Sequence, residues 1–172
     1  MSSKTLWVAG NSQQNGYYCG PATAQIIFDY HGISKTQDEC AALLGTTSSG
    51  TAWYSNSQWP TSWPMFEVLC MSGKSYYCHP GSSMGGSLTQ SALLTLIVNS
   101  INAGKPLAMN YVGSLNGYTT PGHWLVIRGY SSNGDTVQLV DPFYGHGATH
   151  LAFDAPLSTI FGLVSTRGVV SG

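Results

Sequence analysis

The chain has 172 residues, which is enough for one domain with a substantial core and too few for two. Its hydrophobic fraction of 42% argues against a disordered chain, although only 8% of the residues are charged. The net charge of −1 supplies no basic surface for phosphates, which argues against nucleic acid and anionic membranes as partners.

The first two helices are predicted from periodicity and end signals. Apolar residues recur at helical spacing after Cys19, and Gly32 is a suitable end for this helix. Thr36 and Glu39 form a capping-box pattern, which predicts a second, short helix that ends at Gly45.

The middle of the chain combines one long loop with two more helices. Residues 46–64 are rich in Ser, Thr, Gly, Trp and Tyr without a period, which is typical of a loop and long enough to suggest a function. Residues 65–71 are interpreted as a short helix. Residues 89–103 carry four Leu or Ile residues on one face and predict a longer helix.

The last third of the chain favours strands. We expect strands at residues 106–112, 123–130 and 136–141, and a final strand at 165–170. Residues 113–122 are predicted to be a polar loop, whereas the sequence SSNGD is a hairpin signal. Helices followed by an antiparallel sheet predict an α+β fold, with residues 1–172 as a single domain.

Cys19 is the candidate nucleophile because of its position at a helix start. A nucleophilic cysteine acts as a thiolate, and the unpaired N–H groups of a helix N-terminus stabilise that charge. Gly20, the next residue, leaves room for a substrate backbone. Taken alone, however, a cysteine in this position is more often a buried structural thiol.

His123 and Asp141 are the candidate base and orienting carboxylate, because they lie at matching ends of the predicted hairpin. A loop centred on Ser132 would place six residues on one face of the sheet. These residues would pair as Ile127 with Val137, Leu125 with Leu139, and His123 with Asp141. A two-residue turn at Asn133 and Gly134 would instead put His123 and Asp141 on opposite faces.

Gln13 is the candidate oxyanion donor. Acyl transfer places negative charge on the carbonyl oxygen, and a side-chain amide together with the Cys19 backbone N–H would bind that charge. Gln14, one residue nearer, is an alternative on the residues alone.

Two segments resemble cysteine-peptidase family 39, which includes the double-glycine leader peptidases of bacteriocin exporters. They are QQNGYYCGPATAQIIFDYHG and GHWLVIRGYSSNGDTVQLVDPFYG. The resemblance implies a papain-like fold, with Cys19 as nucleophile, His123 as base, Asp141 as orienting carboxylate and Gln13 as oxyanion donor. The spacing in that family favours Gln13 over Gln14.

The resemblance is to a stand-alone, secreted bacterial member, because no exporter region follows. It implies a peptide or protein substrate, and we expect no cofactor and a monomeric protein. Two alternatives remain open. One is an acyltransferase of the transglutaminase kind with the same triad, and the other is a non-catalytic binding domain on a papain-like scaffold.

Aromatic residues in and near the long loop are candidates for a substrate groove. They are Trp53, Tyr54, Trp59, Trp63, Tyr76 and Tyr77. The alternative is that several of them only pack the loop onto the body of the protein.

The remaining cysteines and histidines are interpreted as structural. A disulfide between Cys70 and Cys78 is plausible for a secreted protein, and three free thiols are the alternative. We interpret His146 and His150 as incidental and not as a metal pair. The low charge favours an extracellular location, although residues 1–10 carry no signal peptide, and a cytoplasmic protein is the alternative.

Overall fold

The computed structural model describes all 172 residues, in five α-helices, one short 3₁₀ helix (Ser82–Met84) and seven strands. The helices are α1 (Cys19–Tyr30), α2 (Gln37–Leu44), α3 (Pro64–Cys70), α4 (Gln90–Asn102) and α5 (Leu157–Val164). The strands are β1 (Lys4–Thr5), β2 (Tyr77–Pro80), β3 (Leu107–Leu115), β4 (Tyr118–Tyr130), β5 (Thr136–Val140), β6 (Ala152–Pro156) and β7 (Gly168–Ser171).

The predicted capping box defines the start of α2. The Thr36 hydroxyl accepts a 3.0 Å hydrogen bond from the Glu39 N–H, and the Glu39 carboxylate accepts a 3.3 Å bond from the Thr36 N–H. Gly45 ends the helix in the left-handed conformation, with a φ of 72°. The other helices predicted from the sequence, α1, α3 and α4, also lie within one or two residues of their expected bounds.

Thr36→Ala is expected to lower the free energy of unfolding by about 1 kcal/mol, because alanine leaves the first-turn N–H of Glu39 without its acceptor. Urea denaturation measures this loss. Thr61→Ala is the matched control, since Thr61 is an exposed loop residue, and an equal loss in that variant would contradict the capping role.

One antiparallel sheet, in the order β2-β7-β3-β4-β5-β6, separates two layers of helices, and β1 pairs with β4. Helices α1, α2 and α3 pack on one face, around Ala108, Trp124 and Val126. Helices α4 and α5 pack on the other face, around neighbouring residues of the same strands such as Met109 and Leu125. Because side chains alternate along a strand, β3 and β4 supply both cores.

The predicted loop at residues 113–122 is wrong. Strand β3 continues to Leu115, and a two-residue turn at Asn116 and Gly117, both with positive φ, leads directly into β4. This Asn-Gly pair is a strong hairpin signal. Within residues 113–122, the pairing of β3 with β4 is irregular at one place. There β4 has one extra residue, at Pro121–Gly122, immediately before His123.

Strands β1, β2 and β6 and helix α5 were not predicted from the sequence, and the last strand begins later than expected. The chain remains in the turn after α5 through Arg167, and β7 starts only at Gly168. Helix α5 joins α4 on the face of the sheet opposite α1, α2 and α3.

The predicted register of the β4–β5 hairpin is wrong, because Ile127 pairs with Leu139 and not with Val137. Next to the turn, Tyr130 pairs with Val137, so the strands are shifted from the predicted register by an odd number of residues. A bulge at Arg128 then adds one residue to β4, which makes the total shift even. Side chains that were predicted to share a face of the sheet therefore still do so. His123 and Asp141 therefore still meet, as diagonal neighbours instead of directly opposed residues.

All four cysteines are free thiols, so the predicted disulfide between Cys70 and Cys78 is absent. The Cys70 thiol instead donates a hydrogen bond to the Tyr76 carbonyl. Burial raises the pKa of Cys40 to about 11 and that of Cys78 to about 12, so both remain protonated at neutral pH. None of the helices is both long enough and apolar enough to cross a membrane.

Candidate active site

Cys19 is the first residue of α1 and is 9% exposed. Burial raises the pKa of its thiol, but a hydrogen bond with the His123 side chain and the backbone N–H groups of Trp124 and Gly20 outweigh it, so the net pKa is lowered. The chain approaches closely at the next position, because a Cβ on Gly20 would collide with the side chain of Thr51. Glycine is therefore required there by packing.

His123 connects Cys19 to a carboxylate. Its Nε2 atom lies 2.8 Å from Oδ1 of Asp141, so Nδ1 is the nitrogen available to Cys19. The rings of Tyr111 and Tyr118 stand nearly perpendicular to the imidazole, and Phe143 packs against it at 68°, so the three rings hold its orientation. Burial lowers the pKa of His123, but the hydrogen bonds with Asp141 and Cys19 outweigh it and raise the pKa to about 9.

Asp141 is completely buried and accepts four hydrogen bonds. One oxygen accepts from His123 and from the Phe143 N–H at 2.9 Å. The other accepts from the Asn116 amide at 3.1 Å and the Tyr118 hydroxyl at 2.9 Å. Burial raises the pKa of Asp141, but the interactions with His123, Phe143 and Asn116 outweigh it, so the carboxylate stays ionised.

Asn116 and Tyr118 were not identified from the sequence. Asn116 occupies the turn between β3 and β4, with a φ of 54°, and Tyr118 is the first residue of β4. Tyr118 remains protonated, because burial and the nearby Asp141 raise its pKa. The Asn-Gly dipeptide was the signal that would have placed both residues beside the hairpin end.

The rate of any reaction that uses Cys19 and His123 together is expected to follow a bell-shaped pH profile. A lowered thiol pKa and a raised imidazole pKa both favour the thiolate–imidazolium form of Cys19 and His123. As the pH rises through about 9, His123 loses its proton and the rate falls; at low pH the thiolate is protonated and the rate falls again. Measuring kcat/KM between pH 4 and 10 tests this expectation. A rate that keeps rising beyond pH 9 would contradict it.

Gln13 is 2% exposed and is fixed through its backbone beside Asp141. Its N–H donates to the Pro142 carbonyl at 2.8 Å, and its carbonyl lies 2.7 Å from Nε2 of His146. The side-chain amide donates one hydrogen bond to Asn15 and has a second N–H available, whereas the buried Oε1 has no partner. The Gln14 amide donates a 2.7 Å hydrogen bond to the Asp38 carboxylate at the surface.

Two cavities, of about 290 and 490 Å³, meet at Cys19. Both are bordered by the loop after α2, at Ser49 and Gly50, and by the β4 irregularity at Pro121–Gly122. The smaller cavity extends over Trp53 and Trp124 towards Arg167. The larger one lies on the side of His123 and extends along Tyr17, Phe143 and His146.

Of the six candidate groove aromatics, Trp53 is the one that lines a cavity at Cys19. Trp63 packs between Trp53 and Tyr54, and Tyr54 itself is 46% exposed. The Trp59 indole donates to the Leu43 carbonyl and fixes the loop to α2. Tyr76 is buried and its hydroxyl donates to the Pro106 carbonyl, whereas Tyr77 is exposed at a sheet edge. Most of these residues therefore pack the long loop and its surroundings.

The other histidines make separate contacts. His31 bonds the Tyr76 hydroxyl, and His146 stacks on Phe143 and holds the backbone of Gln13. No group of three or more His, Cys, Asp or Glu side chains lies close enough together to hold a metal ion.

The chain resembles known peptidases in sequence and in fold. The family model described as Peptidase_C39 like family matches residues 5–155. A protein from Bacillus anthracis described as a C39-like peptidase has a TM-score of 0.67 at 13% identity, with 100% of this chain and 98% of that chain covered. No curated protein matches the chain.

Two further solved structures share the fold. The double glycine motif protease of an AMS/PCAT transporter, solved with the leader peptide, has a TM-score of 0.60 at 11% identity, with coverage of 97% and 91%. The peptidase domain of Streptococcus ComA, a bi-functional ABC transporter of a quorum-sensing pathway, has a TM-score of 0.56 at 13% identity, with coverage of 94% and 96%. With the first structure, they show a papain-like fold for this chain.

Proposed function

The chain belongs to the Peptidase_C39 like family, and on this basis we propose that it is a cysteine peptidase that hydrolyses peptide bonds through Cys19, His123 and Asp141. The observation that carries the proposal is the buried 2.8 Å contact between His123 and Asp141, beside Cys19 at a helix N-terminus where two cavities meet. Family membership supports a cysteine peptidase, and the side-chain geometry supports these three residues as its triad.

The first half of the reaction uses the ion pair. The Cys19 thiolate attacks the carbonyl carbon, a C–S bond forms, and the carbonyl π electrons move to oxygen. When the adduct collapses, the C–N bond breaks and the imidazolium of His123 gives its proton to the leaving nitrogen. Asp141 holds Nε2 of the imidazole, which leaves Nδ1 to exchange the proton with the sulfur.

The second half returns the enzyme to its starting state. Neutral His123 takes a proton from water, the resulting hydroxide attacks the thioester, and the C–S bond breaks to give the acid and the thiolate. In both halves, the backbone N–H of Cys19 and the free N–H of Gln13 bind the oxyanion. Two such donors at the developing charge would each lower the barrier by roughly 3 kcal/mol.

The position of His123 indicates which part of the substrate each cavity would hold. Since His123 protonates the leaving amine, the chain after the scissile bond would occupy the larger cavity, which His123 lines. The acyl part of the substrate would then occupy the smaller cavity, which contains Cys19 but not His123.

The test is cleavage of a peptide pool, with and without an added primary amine, followed by mass spectrometry of the products. We expect two fragments per substrate, with a free carboxylate on the acyl fragment. Amide formation with the added amine as the main product would indicate an acyltransferase, and the absence of any covalent product would favour a binding domain.

A further inference from the structure

The smaller cavity contains a cation that has no acidic partner within the protein. Arg167 lines it, and the single ion pair of the protein joins His123 to Asp141. The only hydrogen bond from the Arg167 guanidinium is a long one, 3.4 Å, to the Thr166 carbonyl next to it in the chain. None of the seven Asp and Glu residues of the chain lines this cavity or the larger one.

Asn110 lies in the same cavity beside this cation. In the sheet, Asn110 of β3 pairs with Gly168 of β7, the residue that follows Arg167, and on its other side with Trp124. Asn110 is only 4% exposed, yet its amide makes no hydrogen bond to another residue of the protein. Nearly buried amides in folded proteins are usually hydrogen-bonded. A guanidinium without a carboxylate partner and an amide without a hydrogen-bond partner in the protein thus line the same cavity.

The charge of Arg167 has no evident use in activating the nucleophile. The groups that shift the pKa of Cys19 are His123 and two backbone N–H groups. A partly buried guanidinium without a carboxylate is costly unless something else supplies the negative charge. Planar guanidinium groups bind carboxylates through paired N–H donors.

We infer that the smaller cavity recognises an acidic side chain, Asp or Glu, in the acyl part of the substrate, with Arg167 as its ion-pair partner and Asn110 as a second donor. The inference rests on the proposed peptidase function, which assigns the acyl part to this cavity. The free carboxyl terminus of a peptide does not meet this requirement, because the acyl part ends at the scissile carbonyl.

The first experiment compares matched substrates. For a peptide that the enzyme cleaves, each of the four positions before the scissile bond is set to Glu or Gln, and kcat/KM is measured. At one position we expect Glu to exceed Gln by about 10-fold, with the ratio falling as salt is added. The ratio is taken within one enzyme variant, so differences in folding between variants cancel.

Charge variants test the assignment to Arg167. Arg167→Gln should reduce the Glu/Gln ratio to about 1, and Arg167→Glu should invert it. Arg128→Gln is the matched control and should keep the ratio, because Arg128 lies outside both cavities, over the ring of Trp7. A ratio near 1 at every position in the wild type, or a preference that survives Arg167→Gln, would overturn the inference.

A binding experiment separates this inference from the proposed function. Cys19→Ala protein is titrated with blocked tetra-alanine amides that carry one Glu or Gln, and binding is followed by the change in tryptophan fluorescence, to which Trp53 and Trp124 in the cavity contribute. Tighter binding of a Glu peptide that Arg167→Gln removes would support the inference even if no peptide were cleaved. Equal affinities of the Glu and Gln peptides would overturn it, whereas cleavage without this preference would leave the peptidase proposal intact.

Discussion

Replacing Cys19 with alanine is expected to lower kcat/KM for peptide cleavage by at least 10⁴-fold and to leave the fold unchanged. Without the sulfur no thioester forms, and the remaining oxyanion donors and binding surfaces give only a small residual rate. The change removes a single atom at the junction of two cavities, so we expect little effect on packing. Cleavage assays and circular dichroism measure the two parts of this expectation.

The other thiols provide the control for Cys19. Cys78→Ala should retain activity, because the Cys78 thiol lies half-buried at the edge of the sheet, outside the two cavities. Iodoacetamide at neutral pH should label Cys19 in preference to Cys40 and Cys78, whose pKa values burial raises to about 11 and 12. Substantial cleavage by Cys19→Ala would refute the proposed mechanism.

The elements that could be predicted are those whose signals are local. Thr36 and Gly45 fix α2 through hydrogen bonds and a backbone conformation within the helix itself. The missed helix α5 is short and largely apolar, and it packs on a core built from distant strands, so its period was less visible. The loop predicted at 113–122 was an error of interpretation, since the Asn116–Gly117 signal was present.

The meeting of His123 and Asp141 could be predicted only in part. The two residues were expected on one face, and they do meet, but through a different register. At the turn the two strands are shifted from the predicted register by an odd number of residues, and the bulge at Arg128 makes that shift even. A bulge depends on packing across the whole sheet, and the sequence around Arg128 does not mark it.

The surroundings of the site depend on long-range pairing. Asn110 and Arg167 are 57 positions apart, and only the pairing of β3 with β7 brings them to one cavity. Tyr118 reaches Asp141 only because β3 and β4 form a tight hairpin. Contacts of this kind cannot be derived from spacing along one chain.

Asp141→Asn is expected to lower kcat/KM on the order of 10²-fold and to move the alkaline limb of the pH profile below pH 9. The negative charge and hydrogen bond of Asp141 help to raise the pKa of His123. Asparagine keeps at most one acceptor oxygen, so its Oδ1 can still accept from His123 and Phe143. Its amide N–H₂ would then face the Asn116 amide, which is also a donor, so the orientation of the imidazole should loosen as well.

Tyr118→Phe separates the charge of Asp141 from the support of its second oxygen. This change removes one donor to Asp141 and leaves the carboxylate charge in place, so we expect a fall in kcat/KM of about 10-fold or less. Tyr144→Phe is the matched control, since Tyr144 is an exposed residue that bonds the Asp141 carbonyl only through its backbone N–H, which phenylalanine keeps. If Asp141→Asn left both the rate and the alkaline limb unchanged, Asp141 would be a structural residue and not the group that orients His123.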